Sequence, residues 1–496
     1  MNGPGPCGGL MVCGTGSDSG KSTVVAGLCR LLARRGVRVA PFKAQNMALN
    51  SAVTPAGHEI GRAQAAQAAA AGVPPDVAMN PILLKPSDHR TSQVVVLGRP
   101  WRTMDAAAYQ EAKEELWPVV VEQLWLLRSR FDAVICEGAG SPAEINLLER
   151  DITNLRVAEA AGFPALLVGD IDRGGVFASL FGTVSILPPA LAGLVRGFVI
   201  NKFRGDPELL TPGLAELERR TGVPTVGVLP WMDSLALDAE DSLALARYAP
   251  PEAPDAGAID VAAVRLPRIS NFTDLDAFAL EPGVRLRLVD RPADLGSPDL
   301  VVLPGSKATV SDLEWLCAGG LAAALADLHA RGRTTVLGVC GGYQMLGVRI
   351  DDRVEARSPT SVAGLGLLPV ATTFDPVKVT RRVSGTALGQ PVEGYEIHHG
   401  RTSGGDPWLT LGDGSEGARS EDGRVYGTSV HGLMENDAFR RAFLHDVARR
   451  SGADWQPGPQ VCFAEARSRQ FDRLADALEA HLDMQAVHTL LKAAGS

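Results

Sequence analysis

The chain is poor in aromatic residues, which make up 5% of its 496 positions. Cysteine is also scarce: there are seven, and no two stand in a Cys-x-x-Cys pair. That spacing supports neither a zinc ribbon nor a thioredoxin-type motif, and a sparse, odd set fits free thiols in a reducing cytoplasm. No apolar run approaches the ~18–20 residues of a membrane span. The nearest, 184–200, is broken by Pro188, Pro189 and Arg196. No basic segment precedes the first apolar stretch, so a secretory signal is not expected. The formal charge of −9 argues against a general nucleic-acid binder. Lysine is rare, with eight in the chain, so a lysine inside a motif carries information.

What is present fits a layered α/β protein of two or three domains. Short apolar runs at 10–13, 37–42, 133–136, 165–168 and 197–200 read as buried strands. Helical patterns at 22–35 and 104–130 lie between them. Alternating strand and helix implies right-handed βαβ units and a doubly wound, mainly parallel sheet. The stretch 248–257 reads YAPPEAPDAG and marks a linker. Strand runs then restart at 261–266, 284–289, 300–303, 336–339 and 424–430, giving a second doubly wound domain. The expected division is 1–247, a linker at 248–258, a second domain at 259–450 and a helical extension at 451–496. Within that tail, 471–491 reads as one amphipathic helix packed on its own chain. The Ala-rich stretch 63–71 reads as a helix with a small-residue face.

Residues 14–23 read GTGSDSGKST, directly after a strand and opening a helix. That is the context of a phosphate-binding loop. Its backbone N–H groups turn onto phosphate oxygens, and the helix N-terminus adds a favourable partial charge. The expected nucleotide-binding residues are Thr15, Gly16, Ser19, Gly20, Lys21, Ser22 and Thr23. Lys21 reaches the terminal phosphates, and the Ser22 or Thr23 hydroxyl helps hold Mg²⁺. The spacing from Gly14 to Gly20 is one residue longer than the simplest form of this motif. Glu137 and Asp170 follow strands and are the two candidate metal-coordinating acids. Asn201, in NKFRGD, is a candidate contact to the base or phosphates. The string KAQNMALN at 43–50 supplies a lysine and amides. Lys43, Gln45, Asn46 and Asn50 therefore suit a substrate rich in carboxylates and carboxamides.

In the second half, Cys340 follows a buried strand in VLGVCGGYQMLG. This reads as a nucleophile elbow. The following helix N-terminus favours the thiolate, and the Gly341 N–H lies where an oxyanion would develop. A cysteine nucleophile needs a base, and His431, in GTSVHG, is a candidate; His398 and His399 in GYEIHHG compete for the role, and the sequence does not decide between them.

Cys340 in GVCGGYQ together with His431 in SVHG resembles class I (triad) glutamine amidotransferase domains. LPGSK at 303–307 resembles their oxyanion loop, which implies a role for Gly305 beside Gly341. The first half is similar to ATPases related to dethiobiotin synthetase. AQNMALNS at 44–51, MNPILLKP at 79–86 and GYEIHHGRT at 394–402 make the whole resemble the cobyric acid synthase group of cobalamin biosynthesis. The resemblance covers residues from about 8 to 490.

It implies ATP- and Mg²⁺-dependent amidation of the b, d, e and g carboxylates of adenosylcobyrinic acid a,c-diamide, with ammonia released from glutamine. The implied partners are glutamine and a corrinoid polycarboxylate, with no nucleic acid and no membrane; a homo-oligomer is compatible. The rival readings are an a,c-diamide synthase, or a P-loop ATPase switch with an inactive amidotransferase domain. One departure stands out. Triad domains of this class read His-x-Glu, but here that place is Leu433, with Glu435 two residues beyond. Either another group orients His431, or glutamine hydrolysis runs on a Cys–His dyad, in which case it is modest unless the synthetase site is occupied.

Overall fold

Buried Val, Ile and Leu runs on both faces of the strands produce parallel sheets, as the sequence pattern requires. A computed structural model of the chain describes residues 8–87, 90–232, 257–356, 358–412, 414–458 and 461–493. Most of the expected linker at 248–258 lies outside the described residues.

The described residues group into two units, one built from 8–48, 60–232 and 467–493, the other from 49–59 and 257–466. This differs from the division expected along the chain at two places. The short segment 49–59 groups with the second unit, and the C-terminal helices group with the first.

The first unit centres on a six-stranded parallel sheet in the order β6-β5-β4-β1-β3-β2. The strands are β1 (Gly8–Gly14), β2 (Val39–Phe42), β3 (Ala133–Glu137), β4 (Ala165–Asp170), β5 (Val195–Phe203) and β6 (Thr225–Pro230). Strand order reverses around β1, so its C-terminal end opens a crevice between β3 and β4, where doubly wound sheets bind ligands. Helix α1 (Lys21–Arg34) starts there, and α2 (Arg62–Ala70) packs against it.

The tail forms two helices, α3 (Phe463–His481) and α4 (Met484–Ala493), rather than the single one expected. Asp483 ends the run because its side chain accepts from the N–H groups of Gln485 and Ala486 and caps α4. The tail packs on its own unit, as expected. Gly27 makes this approach possible, since a Cβ there would lie 2.4 Å from Leu478. Leu478, Leu482 and Leu491 join Leu10, Val24 and Leu28 in one core.

The second unit holds another parallel sheet, in the order β8-β7-β9-β10-β11. Its strands are β7 (Ile259–Val264), β8 (Val284–Val289), β9 (Leu300–Leu303), β10 (Thr335–Val339) and β11 (Val425–Thr428). Ala418–Arg419 adds an antiparallel edge. A long antiparallel hairpin, Val370–Ala387 with Gln390–Gly404, extends beyond this sheet. The short helix Gly341–Leu346 follows β10 directly. Among the described residues no helix is long and apolar enough to cross a membrane, and no cysteine forms a disulfide.

Candidate active sites

The first unit carries the phosphate loop at the end of β1. Gly20 has φ of +104°, and a Cβ there would fall 1.9 Å from the Asn201 side-chain nitrogen, so only glycine fits. Asn201 Nδ2 donates to the Ser19 carbonyl at 3.0 Å. Its amide therefore braces the loop. Lys21 is buried and donates to the carbonyls of Gly16 at 2.8 Å and Gly140 at 3.1 Å. The Thr15 N–H donates to the carbonyl of Val168, tying the loop to β4. Space beside Gly16 is open, and the buried Ser19 hydroxyl has no hydrogen-bond partner. An orphaned donor inside a glycine-lined cradle fits an anionic phosphate group. Thr23 lies in the first turn of α1, half-buried.

Of the two candidate acids, Glu137 meets Ser22. The Ser22 hydroxyl donates to Glu137 Oε1 at 2.8 Å. Lys43 Nζ reaches the same oxygen at 2.9 Å, and Gln67 Nε2 donates to Oε2 at 2.5 Å. Burial opposes the charge of Glu137, yet Lys43, Gln67 and Ser22 hold its carboxyl below the usual range. Asp170 is instead taken by Lys202 Nζ at 2.7 Å, which also donates to the Asp18 carbonyl.

Around the amide string, Tyr109 donates to Gln45 Oε1 at 2.6 Å, and Asn46 donates to Gln64 at 2.9 Å. Asn46 Oδ1, Gln64 Nε2 and Gln67 Oε1 are buried without a partner. Asn50 departs from expectation: it lies in the second unit, where its side chain accepts from the Phe272 N–H at 3.2 Å. That contact is structural, within the second unit. Gln64 and Gln67 escaped the sequence reading because they sit in an alanine run. Two amides three residues apart on a helix were the available signal.

In the second unit Cys340 has φ of +51°, a conformation that costs a non-glycine residue about 1–3 kcal/mol. Such strain fits the nucleophile elbow expected at this position. Gly341 follows at the first helical position, where its N–H has no partner in the helix's own ladder. A Cβ on Gly305 would lie 3.2 Å from the His431 ring, so the two expected oxyanion residues, Gly305 and Gly341, flank the elbow and its base.

The Cys340 thiol donates to the Ile397 carbonyl at 3.9 Å. His431 is buried. Its Nδ1 lies 2.7 Å from Asp274 Oδ2, while Asp274 Oδ1 accepts from the Gly432 N–H at 2.7 Å. His398 and His399 turn away: each places Nδ1 on a backbone carbonyl, of Gly400 and Asp375 respectively. The open question about His431 thus has a structural answer. Asp274 supplies the third group, from a turn remote in sequence, and Leu433 is simply buried. Burial works against charge on His431, but Asp274 and Cys340 outweigh it, and the imidazole is pushed up to about 10.

The CobQ/CobB/MinD/ParA nucleotide binding domain family matches residues 10–244, and the CobB/CobQ-like glutamine amidotransferase domain family matches 260–439. The cobyric acid synthase of Frankia casuarinae is 55% identical, over 98% of this chain and 96% of its own. Those of Nocardia farcinica and Rhodococcus jostii are 54% and 56% identical, again over 98% of this chain and 96% of theirs. This chain belongs to the cobyric acid synthase family. Its two chemical centres are those of an ATP-using amidoligase and a glutaminase.

For this member of the family, Asp274→Asn should lower glutaminase kcat by roughly 10²–10³-fold. That is less than the ~10⁴ seen when a serine triad loses its acid, because a thiol is the better nucleophile. It should also bring the alkaline limb of the kcat profile down from near 10, since the nearest charge raising His431 is gone. The sign carries to stability. The folded imidazole binds its proton more tightly than a free one, so its contribution is complete below ~6.5 and is lost as pH rises through about 10. Unchanged kcat and pH profile in Asp274→Asn would sink the positioning role of Asp274.

Proposed function

We infer that the chain amidates the b, d, e and g carboxylates of adenosylcobyrinic acid a,c-diamide to give adenosylcobyric acid, using ATP and glutamine. The observation that carries this reading is one chain holding both an oriented Cys340–His431–Asp274 set and a phosphate loop facing Glu137. The relatives' shared name supports the substrate class.

At the second unit, the Cys340 sulfur attacks the side-chain carbonyl carbon of glutamine. The oxyanion meets the N–H groups of Gly305 and Gly341. His431 hands its proton to the departing nitrogen as the C–N bond breaks, releasing ammonia and leaving a thioester. His431 then takes a proton from water, which hydrolyses the thioester to glutamate. Asp274 holds the imidazole in register throughout.

At the first unit, the phosphate loop and Lys21 hold the ATP phosphates. A corrin carboxylate takes the γ-phosphoryl group, ADP leaves, and ammonia displaces phosphate from the acyl phosphate. Ser22 and Glu137 are the residues that would hold Mg²⁺, which supplies charge neutralisation on the phosphates. Among the described residues no cluster of three or more His, Cys, Asp or Glu stands ready for a metal. One carboxylate and one hydroxyl suit an ion that keeps several waters and phosphate oxygens. Lys43 and the amides of Gln45 and Asn46 would meet the substrate carboxylates. The unpaired atoms of Asn46, Gln64 and Gln67 would then recover partners.

Incubation with ATP, Mg²⁺, glutamine and the a,c-diamide should give a product with four added amides by mass. An unchanged a,c-diamide, or a chain that instead adds two amides to cobyrinic acid, overturns this assignment.

A further inference from the structure

The segment 49–59 leaves the first unit between two residues that touch the same carboxylate. Lys43, just before it, and Gln67, on the helix just after it, both hydrogen-bond Glu137. The segment itself belongs to the second unit, where Ser51–Val53 is a short strand. Its contacts there converge on His431.

Asn50 and Asn271 make a reciprocal pair. Asn50 Oδ1 accepts from the Phe272 N–H at 3.2 Å, and Asn271 Oδ1 accepts from the Ser51 N–H at 2.9 Å. Asn271 opens the turn Phe272–Leu275, which carries Asp274, and its carbonyl accepts from the Asp274 N–H at 3.0 Å. On the other side Val53 packs with Tyr395 and Ile397. The Tyr395 ring stacks on the His431 ring at 5.4 Å, and the two backbones exchange hydrogen bonds. The segment is pinned by buried Glu59, which accepts from Ser51 Oγ at 2.7 Å and pairs with Lys378 at 2.6 Å.

We propose that residues 49–59 are a coupling strap, through which occupancy of the Lys43–Glu137 site sets the position of Asp274 and so the rate of glutamine hydrolysis. The inference rests on the function proposed above and adds its regulation. Loading of the first site must re-divide the contacts of Glu137 among Lys43, Gln67 and Ser22. Both ends of the strap are tied to that exchange, and its middle is tied to the turn bearing Asp274. Asn50 and Asn271 are positioning residues here, because neither touches the reacting atoms.

The test uses the full chain and Asn271→Gly. Asn271 has φ of +51°, which glycine adopts without strain, so the variant removes the acceptor for Ser51 and little else. Glutaminase is measured with and without ATP, Mg²⁺ and the a,c-diamide, and synthesis is measured with ammonia in place of glutamine. The parent should show stimulation of about 5- to 150-fold, the usual span for coupled sites. In Asn271→Gly that ratio should fall to about 1 while ammonia-dependent synthesis persists; Asn271→Asp, which keeps the acceptor, should restore it. A full ratio in Asn271→Gly overturns the strap, as does an equal loss in Asn271→Asp. A simultaneous loss of ammonia-dependent synthesis also overturns it, since the effect would then be general. A parent that makes no amide from ammonia removes the assigned function and the strap with it.

Discussion

Replacing Cys340 by Ala should reduce glutamine-dependent synthesis by about 10⁶-fold, the scale of losing a triad nucleophile, and leave ammonia-dependent synthesis intact. Cys340 belongs to a buried apolar cluster, so a purely structural thiol is the rival explanation. Three features of the site oppose it. The residue carries φ of +51° without being glycine, it raises the proton affinity of a buried imidazole, and that imidazole is braced by a carboxylate. A packing residue needs none of these.

Alanine retains the Cβ and meets the same backbone penalty, so the exchange removes the sulfur with little change in strain. Cys13 and Cys29 offer no substitute nucleophile, because burial pushes both thiols up, away from the reactive range. The assay compares product formed from glutamine with product formed from ammonium salt at mildly alkaline pH. Persistent glutamine-dependent synthesis would remove Cys340 from the chemistry.

The parts of both sites that follow a strand end were legible in the sequence. A phosphate loop, a cysteine elbow and a histidine turn each need a short string of fixed residue types, because backbone geometry and chemistry are local there. Asp274 could not be found that way. It stands 157 positions from His431, in a turn without a motif, and the fold alone brings them together. The only trace was negative: a leucine at position 433 where an orienting acid was expected.

Asn50 shows how a shared string can divide between units. Its place in a polar string suggested the same role as Gln45 and Asn46, yet the chain passes into the second unit one residue earlier. The tail helix was legible in its apolar stripe but not in its break, because the stop depends on one capping aspartate inside a helical pattern. Fold class was the most legible property, since buried parallel strands leave apolar runs that no other element of that length produces as regularly.

Lys21→Ala should produce the reverse of the cysteine variant: synthesis from glutamine and from ammonia should both fall, on the order of 10³-fold. In the structure Lys21 is buried against the carbonyls of Gly16 and Gly140, which flank the open space beside the phosphate loop. On the proposed function, the charge that builds on the transferring phosphate meets the Lys21 ammonium charge. Truncation removes that charge but not the loop's shape, because Gly20, Asn201 and the Thr15–Val168 contact persist. ATP binding should weaken less than turnover, since backbone N–H groups carry much of the ground-state affinity. Glutaminase measured without ATP is the internal control, because the Cys340 centre lies in the other unit. It should continue in Lys21→Ala, and its stimulation by ATP and the a,c-diamide should vanish. If ammonia-dependent synthesis survives at parental rate, Lys21 does not serve the phosphoryl transfer and the carboxylate must be activated elsewhere.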